Sequence, residues 1–202
     1  MEKFKKFLIR IAGLFYPIKV YGAENIPEGS ALFACNHFSA MDCLYILSLR
    51  VDGVKFLAKK EIFKNKLFAK ILRAYGGIAI DRENPEMRSL MEAIKVLKNG
   101  KKLTIFPEGT RNKTGSDQLQ NLKGGTAVFA VKAKCPIVRI MIYKKARLFV
   151  RNKMIIGKPF TLEEYYSKPL DEKTVCDMET IIAQKMNEQQ TALREMLSKK
   201  KK

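Results

Sequence analysis

Tryptophan is absent from this chain and histidine occurs once, at position 37. One imidazole cannot build a His-rich or Cys/His zinc cluster, so no metal site is expected. The four cysteines, Cys35, Cys43, Cys135 and Cys176, form no CxxC pair and no regular framework. That excludes a disulfide scaffold and fits a cytosolic chain with reduced thiols. Long apolar runs are missing too: the best early candidate, Phe7 to Ile18, is broken by Arg10 and closed by Pro17. It falls short of the roughly eighteen apolar residues of a spanning helix, and nothing at the N-terminus reads as a cleavable secretion signal. Acids are scarce: 20 Asp and Glu stand against 39 Lys and Arg, a net charge of +19. Such a surplus calls for an anionic partner, whether lipid headgroups, nucleic acid or an acidic protein. The deficit is local, because Gln118 to Leu162 holds ten bases and no acid, whereas Glu163 to Glu195 holds eight acids and four bases.

What remains is enough for one folded domain: 202 residues, 47% hydrophobic and 29% charged, bury a substantial core. Short apolar runs predict strands at Lys19 to Tyr21, Ala31 to Cys35, Lys55 to Ala58, Ile78 to Ile80, Leu103 to Phe106 and Ile137 to Tyr143, then a hairpin from Arg147 to Ile156 turning near Asn152. Helical windows lie between them, at Ala40 to Arg50, Ile62 to Tyr75, Pro85 to Lys98, Gly125 to Lys134 and Leu170 to Ser198, with Asn99-Gly100 as a C-cap. The alternation predicts a single-domain α/β sandwich: a mixed, mainly parallel sheet flanked by helices. The expected divisions are an interfacial helix over 1–18, the main domain over 19–198 and a basic, frayed tail over 199–202.

At 100° per residue, Phe4, Phe7, Leu8, Ile11, Leu14 and Phe15 share one helix face, with Lys3, Lys6 and Arg10 on its flank. Such a helix can lie on an anionic membrane surface, aromatic side in the acyl region, or can pack on the core like any amphipathic helix. A second basic window, Lys55 to Arg73, carries seven Lys or Arg and one Glu around the doublets Ile62-Phe63, Leu67-Phe68 and Ile71-Leu72. It reads either as another membrane-facing helix or as a solvated charge run.

His37 follows the apolar run Ala31 to Cys35 and so sits at a strand end, where α/β proteins gather reactive groups. Asp42, five residues on, would lie about 140° away on a continuous helix. With His37 in the strand-to-helix turn, the carboxylate can instead fix the imidazole tautomer, leaving the other nitrogen to act as a base. Ser39-Ala40-Met41-Asp42 also reads as a capping box, Ser39 at the N-cap and Asp42 at N3, and the two roles are compatible. A Cys35 or Cys43 pair with His37 is a nucleophilic alternative; both thiols are expected to be buried and inert. A second island, Pro107-Glu108-Gly109-Thr110-Arg111, follows another strand and forms a tight loop able to offer amides and a guanidinium to a phosphate; a plain turn would look the same. Gly76 to Arg82 is a third candidate. Leu122 to Gly125, opening a helix whose amides attract anions, is a fourth.

Asn36-His37-x4-Asp42, Gly76-x-Ile78-x-Ile80-Asp81-Arg82, Phe106-Pro107-Glu108-Gly109-Thr110-Arg111 and Pro136-Ile137-Val138, in that order and spacing, resemble the glycerophospholipid acyltransferase family over approximately Tyr21 to Phe160, most closely its bacterial 1-acyl-glycerol-3-phosphate acyltransferases. The resemblance implies that His37 is the general base and Asp42 orients it. It implies too that Arg82, Glu108, Gly109, Thr110 and Arg111 bind the glycerol phosphate of the acceptor. The implied reaction moves an acyl group from acyl-CoA or acyl-acyl carrier protein, substrates rather than cofactors, to lysophosphatidic acid, giving phosphatidic acid. Glycerol 3-phosphate or another lysophospholipid is the alternative acceptor. A peripheral place on the cytoplasmic face of the membrane would follow, with no nucleic acid as partner. Arg139 stands where the family often has a second proline, so no ligand role is expected of the Pro136 block. A basic lipid-surface or nucleic-acid-binding protein without catalysis is the reading from another class.

Overall fold

Every side chain of β2 (Ala31–Cys35) is buried, which is why this strand reads as a continuous apolar run rather than an alternating one. It is the centre of a seven-stranded sheet in a computed structural model that describes residues 2–81, 86–112, 119, 122 and 125–199. The other strands are β1 (Ile18–Tyr21), β3 (Lys55–Lys59), β4 (Gly77–Ile80), β5 (Lys102–Ile105), β6 (Ile137–Ile142) and β7 (Asn152–Ile156). Their order is β1-β7-β6-β2-β5-β3-β4. β4, β3, β5, β2 and β6 run parallel, β7 returns antiparallel to β6, and β1 runs with β7. The sheet is mixed and mainly parallel, as expected.

The helices are α1 (Glu2–Phe15), α2 (Asp42–Ser48), α3 (Lys66–Ala74), α4 (Met87–Lys98), α5 (Thr126–Ala133) and α6 (Glu172–Lys199). One core joins Leu32, Ala34 and Leu103 to Ala93 and Leu97 of α4, Phe129 of α5 and Met178, Ile182, Met186 and Leu193 of α6. Side chains of opposite parity, Phe33, Phe56 and Ile140, meet Tyr45 and Ile46 of α2 in a second core on the other face. This is the three-layer arrangement that a sheet covered on both sides requires.

Three expectations change. Arg147 to Ile156 is not a hairpin: β7 begins at Asn152 and pairs with β6. Asn152 starts the strand because its Nδ2 donates to the Lys144 carbonyl (2.6 Å) and its amide to the Pro17 carbonyl (2.8 Å). The helix expected from Ile62 begins only at Lys66, after a 3-10 turn over Lys60–Lys64, and the one expected from Ala40 begins at Asp42. Asn99-Gly100 does close α4, with Gly100 at φ 72°.

α1 forms as the pattern predicts, but its apolar stripe does not pack on the core. Phe4, Phe7, Leu8, Ile11, Leu14 and Phe15 are all exposed. Among the described side chains of α1 the half-buried ones are Ile9, Ala12 and Gly13, continued by Tyr16 just beyond the helix, a second i, i+3, i+4, i+7 row, and α1 lies against α2.

Candidate active site

The site is assembled where β2 and β5 end side by side. Asn36 closes β2: its Nδ2 donates to the Ile142 carbonyl (2.9 Å) and its Oδ1 accepts the Ile142 amide (2.8 Å), fastening the strand end to β6. The chain then turns through His37, Phe38 and Ser39 around the Asp42 carboxylate, which is 0% exposed. Asp42 Oδ2 accepts the amides of Phe38 (2.6 Å) and Ser39 (2.7 Å), Oδ1 accepts the Ser39 hydroxyl (3.3 Å), and His37 Nδ1 lies 2.9 Å from Oδ2. The expected capping box is therefore half formed. Asp42 reaches back to the Ser39 amide, but as the first residue of α2, and the Ser39 hydroxyl accepts the Met41 amide (3.2 Å) instead of the amide at the third position.

An ionised carboxylate only accepts hydrogen bonds, so the contact at Nδ1 is satisfied by a proton on Nδ1. The lone pair then lies on Nε2. The ring stacks on Phe106, centroids 4.0 Å apart at 22°, and its side chain is 15% exposed. This arrangement can accept a proton at Nε2 and share the resulting charge with Asp42.

The second loop is held against the first. Phe106 to Gly109 is a β-turn closed by the Gly109 amide on the Phe106 carbonyl (3.0 Å), with Pro107 at the position that suits its fixed φ. Gly109 has φ 68°, a value that favours glycine. The turn aims Glu108 inward: the residue is 3% exposed and its Oε1 accepts the His37 amide (3.0 Å). The Asn112 amide donates to the His37 carbonyl (2.7 Å), so both backbone polar groups of His37 are tied to this loop. The Glu108 carboxylate, where the resemblance implies an acceptor ligand, holds the backbone of the histidine through Oε1. Gly109 is buried as well, while Thr110 and Arg111 are exposed beside the site. Arg82 lies outside the described residues.

The cysteine alternative fails on electrostatics. Burial, reinforced by the nearby Asp42 charge, pushes the Cys35 thiol well above its ordinary range and the Cys43 thiol up to about 12. Neither supplies a thiolate. Lys123 and Gly124 of the Leu122 to Gly125 candidate lie outside the described residues, and at the start of α5 the Ala127 amide donates to Glu179 Oε1 (2.8 Å) from α6. Burial lifts that carboxyl to about 7. Arg139 serves packing, its guanidinium donating to the carbonyls of Lys185 (3.0 Å) and Lys158 (3.3 Å). A cavity of about 470 Å³ lined by Lys6, Arg10, Arg50, Lys55 and Lys101 lies at the other end of the parallel strands, away from His37.

Sequence reading missed Asn36, Phe106 and the positioning role of Glu108. Asn36 could have been found, since a polar amide directly after five buried apolar residues must be satisfied internally. The stacking of Phe106 and the inward turn of Glu108 depend on which strands are neighbours, which one sequence does not state.

A strand-end histidine with a carboxylate at its back, in an α/β sandwich, is an arrangement able to activate a hydroxyl, and it fits the class of transferases. A sequence model of the Acyltransferase family matches residues 17–143, and the chain belongs to that family and is an acyltransferase. A 1-acyl-sn-glycerol-3-phosphate acyltransferase of Bacillus subtilis (strain 168) is 31% identical over 175 residues, 81% of this chain and 84% of that protein. A protein of the same name from Cocos nucifera is 34% identical over 157 residues, 76% of this chain but 50% of that longer protein. The crystal structure of the 1-acyl-sn-glycerophosphate (LPA) acyltransferase PlsC from Thermotoga maritima superposes with a TM-score of 0.67 at 27% identity, covering 95% of this chain and 83% of that one.

Proposed function

We propose that the chain transfers an acyl group from a thioester donor, acyl-CoA or acyl-acyl carrier protein, to the sn-2 hydroxyl of lysophosphatidic acid, with His37 as general base. The observation that carries this reading is the 2.9 Å contact of His37 Nδ1 with buried Asp42, in a loop whose backbone is fixed by Glu108 and Asn112. The names of the relatives from Bacillus subtilis and Cocos nucifera support the choice of acceptor.

Nε2 removes the hydroxyl proton as the oxygen attacks the thioester carbonyl. A C–O bond forms and the tetrahedral oxyanion collapses, breaking the C–S bond. The proton on the imidazolium passes to the departing thiolate, restoring the neutral ring. No enzyme-bound acyl group is required, because the thioester is already activated. A positioned base is worth about 10² to 10⁴ in rate. Arg111 with Thr110, and Arg82, bind the acceptor phosphate, and the exposed stripe of α1 holds the protein on an anionic membrane surface at the cytoplasmic face.

Mass spectrometry of products tests this directly. Lysophosphatidic acid, glycerol 3-phosphate and lysophosphatidylcholine would each be offered with acyl-CoA or acyl-acyl carrier protein. Phosphatidic acid from the first acceptor is the expected product; acylation of glycerol 3-phosphate or lysophosphatidylcholine alone would displace the assignment.

A further inference from the structure

α1 is not the only element that turns apolar side chains to solvent. Leu148, Phe149 and Val150, between β6 and β7, are 53%, 67% and 52% exposed. Loop tips are ordinarily polar, yet here three large apolar residues stand in a row. Lys144, Lys145, Arg147 and Arg151 bracket them, and no acid occurs between Tyr143 and Ile156.

The backbone holds this segment in place. Phe149 has φ 58°, a conformation rarely adopted by a bulky residue. Its amide donates to the Phe15 carbonyl (2.7 Å), and the Val150 amide donates to the Arg147 carbonyl (3.2 Å). The Phe149 and Phe15 rings meet with centroids 5.5 Å apart. The loop is thus stitched to the end of α1, and its apolar tip continues the stripe of Phe7, Ile11, Leu14 and Phe15. It also leaves the sheet just beyond Ile142, the residue fastened to Asn36, so it stands at the catalytic end of the strands.

We infer that residues 147–151 are a second membrane-insertion element. Leu148, Phe149 and Val150 enter the interfacial layer of an anionic bilayer, while the four flanking cations rest on lipid phosphates. Together with α1 the loop fixes the bilayer beside His37, where a membrane-borne acceptor must arrive. The inference rests on the membrane reading of α1 and adds a contact that a helix alone does not need.

The absence of tryptophan supplies the test. Phe149→Trp, Phe7→Trp and, on the opposite layer, Tyr165→Trp would each carry the sole indole of the protein. Each is mixed with vesicles of phosphatidylglycerol and phosphatidylcholine bearing brominated acyl chains. The expected result is blue-shifted, quenched emission for Phe149→Trp and Phe7→Trp and no change for Tyr165→Trp. Quenching for Phe7→Trp with water-like emission for Phe149→Trp would overturn the loop and leave α1 standing; quenching of neither would remove both. Emission from Phe149→Trp that is blue before lipid is added, in a protein that sediments as a dimer, would assign the tip to a second copy and overturn the inference. A blue shift with acyl carrier protein but not with vesicles would do the same. Replacing Leu148, Phe149 and Val150 together by serine should weaken vesicle partitioning on the order of tenfold or more, with an unchanged melting profile as the check that the fold survives; undiminished partitioning would contradict the inference.

Discussion

The loops that follow β2 and β5 leave neighbouring parallel strands and touch one another, yet they are built to opposite specifications. After β2, every polar group named has an internal partner: Asp42 takes two amides, a hydroxyl and an imidazole, and both backbone groups of His37 are bonded. After β5, the loop starts buried, at Glu108 and Gly109, and then turns outward to exposed Thr110 and Arg111. A group that moves a proton must be held in one tautomer and orientation. A group that grips a ligand's phosphate must instead reach solvent. The second loop therefore divides, its first half bracing the histidine and its second half turned to solvent, where the proposed acceptor phosphate would bind.

Substitutions can break this division, starting with the largest effect. His37→Ala should lower kcat by about 10² to 10⁴ while leaving the circular dichroism spectrum and vesicle binding intact, as measured at saturating acceptor; substantial turnover in the folded variant would reject the base assignment. Glu108→Ala should reduce kcat by roughly tenfold with little change in acceptor KM, and cost about 1–3 kcal/mol in chemical denaturation because the His37 amide loses its acceptor. A rise in KM alone would move Glu108 to the acceptor. Arg111→Ala should raise acceptor KM by roughly tenfold with kcat nearly unchanged; a loss confined to donor affinity would place Arg111 on the thioester side.

A second buried glutamate sharpens the contrast, because Glu179 also holds an amide but lies in neither loop. Its carboxyl is raised from 4.5 to about 7 by burial. Below 4.5 it is protonated folded or unfolded. Between 4.5 and 7 the unfolded chain ionises first, so folding stability falls across that window and levels off above it. Glu179→Gln should flatten that part of the stability profile and be more stable above pH 7 by about 1–3 kcal/mol, with kcat unchanged. A loss of turnover there would blur the line between bracing and catalysis.

Much of this arrangement was legible beforehand. The apolar run Ala31 to Cys35 marked the central strand because burial on both faces removes alternation. The His37 to Asp42 interval pointed to a dyad because a turn, unlike a helix, brings residues five apart together. The hairpin expected at Arg147 to Ile156 failed for a reason that sequence hides: β7 finds its partner in β6, and the exposed Leu148-Phe149-Val150 tip mimics a strand by composition alone. The inward turn of Glu108 was not legible, because nothing local reveals that its loop lies against His37. Contacts across adjacent strands are set by sheet order, which is a property of the whole chain.

The claim on which everything turns is that the imidazole of His37 and the carboxylate of Asp42 act as one unit. A double-mutant cycle on kcat, with His37→Ala, Asp42→Asn and the pair combined, measures it. The combined variant should fall no further than His37→Ala alone, since a carboxylate with no ring to orient contributes nothing more. Losses that multiply would show two independent contributions and contradict the account.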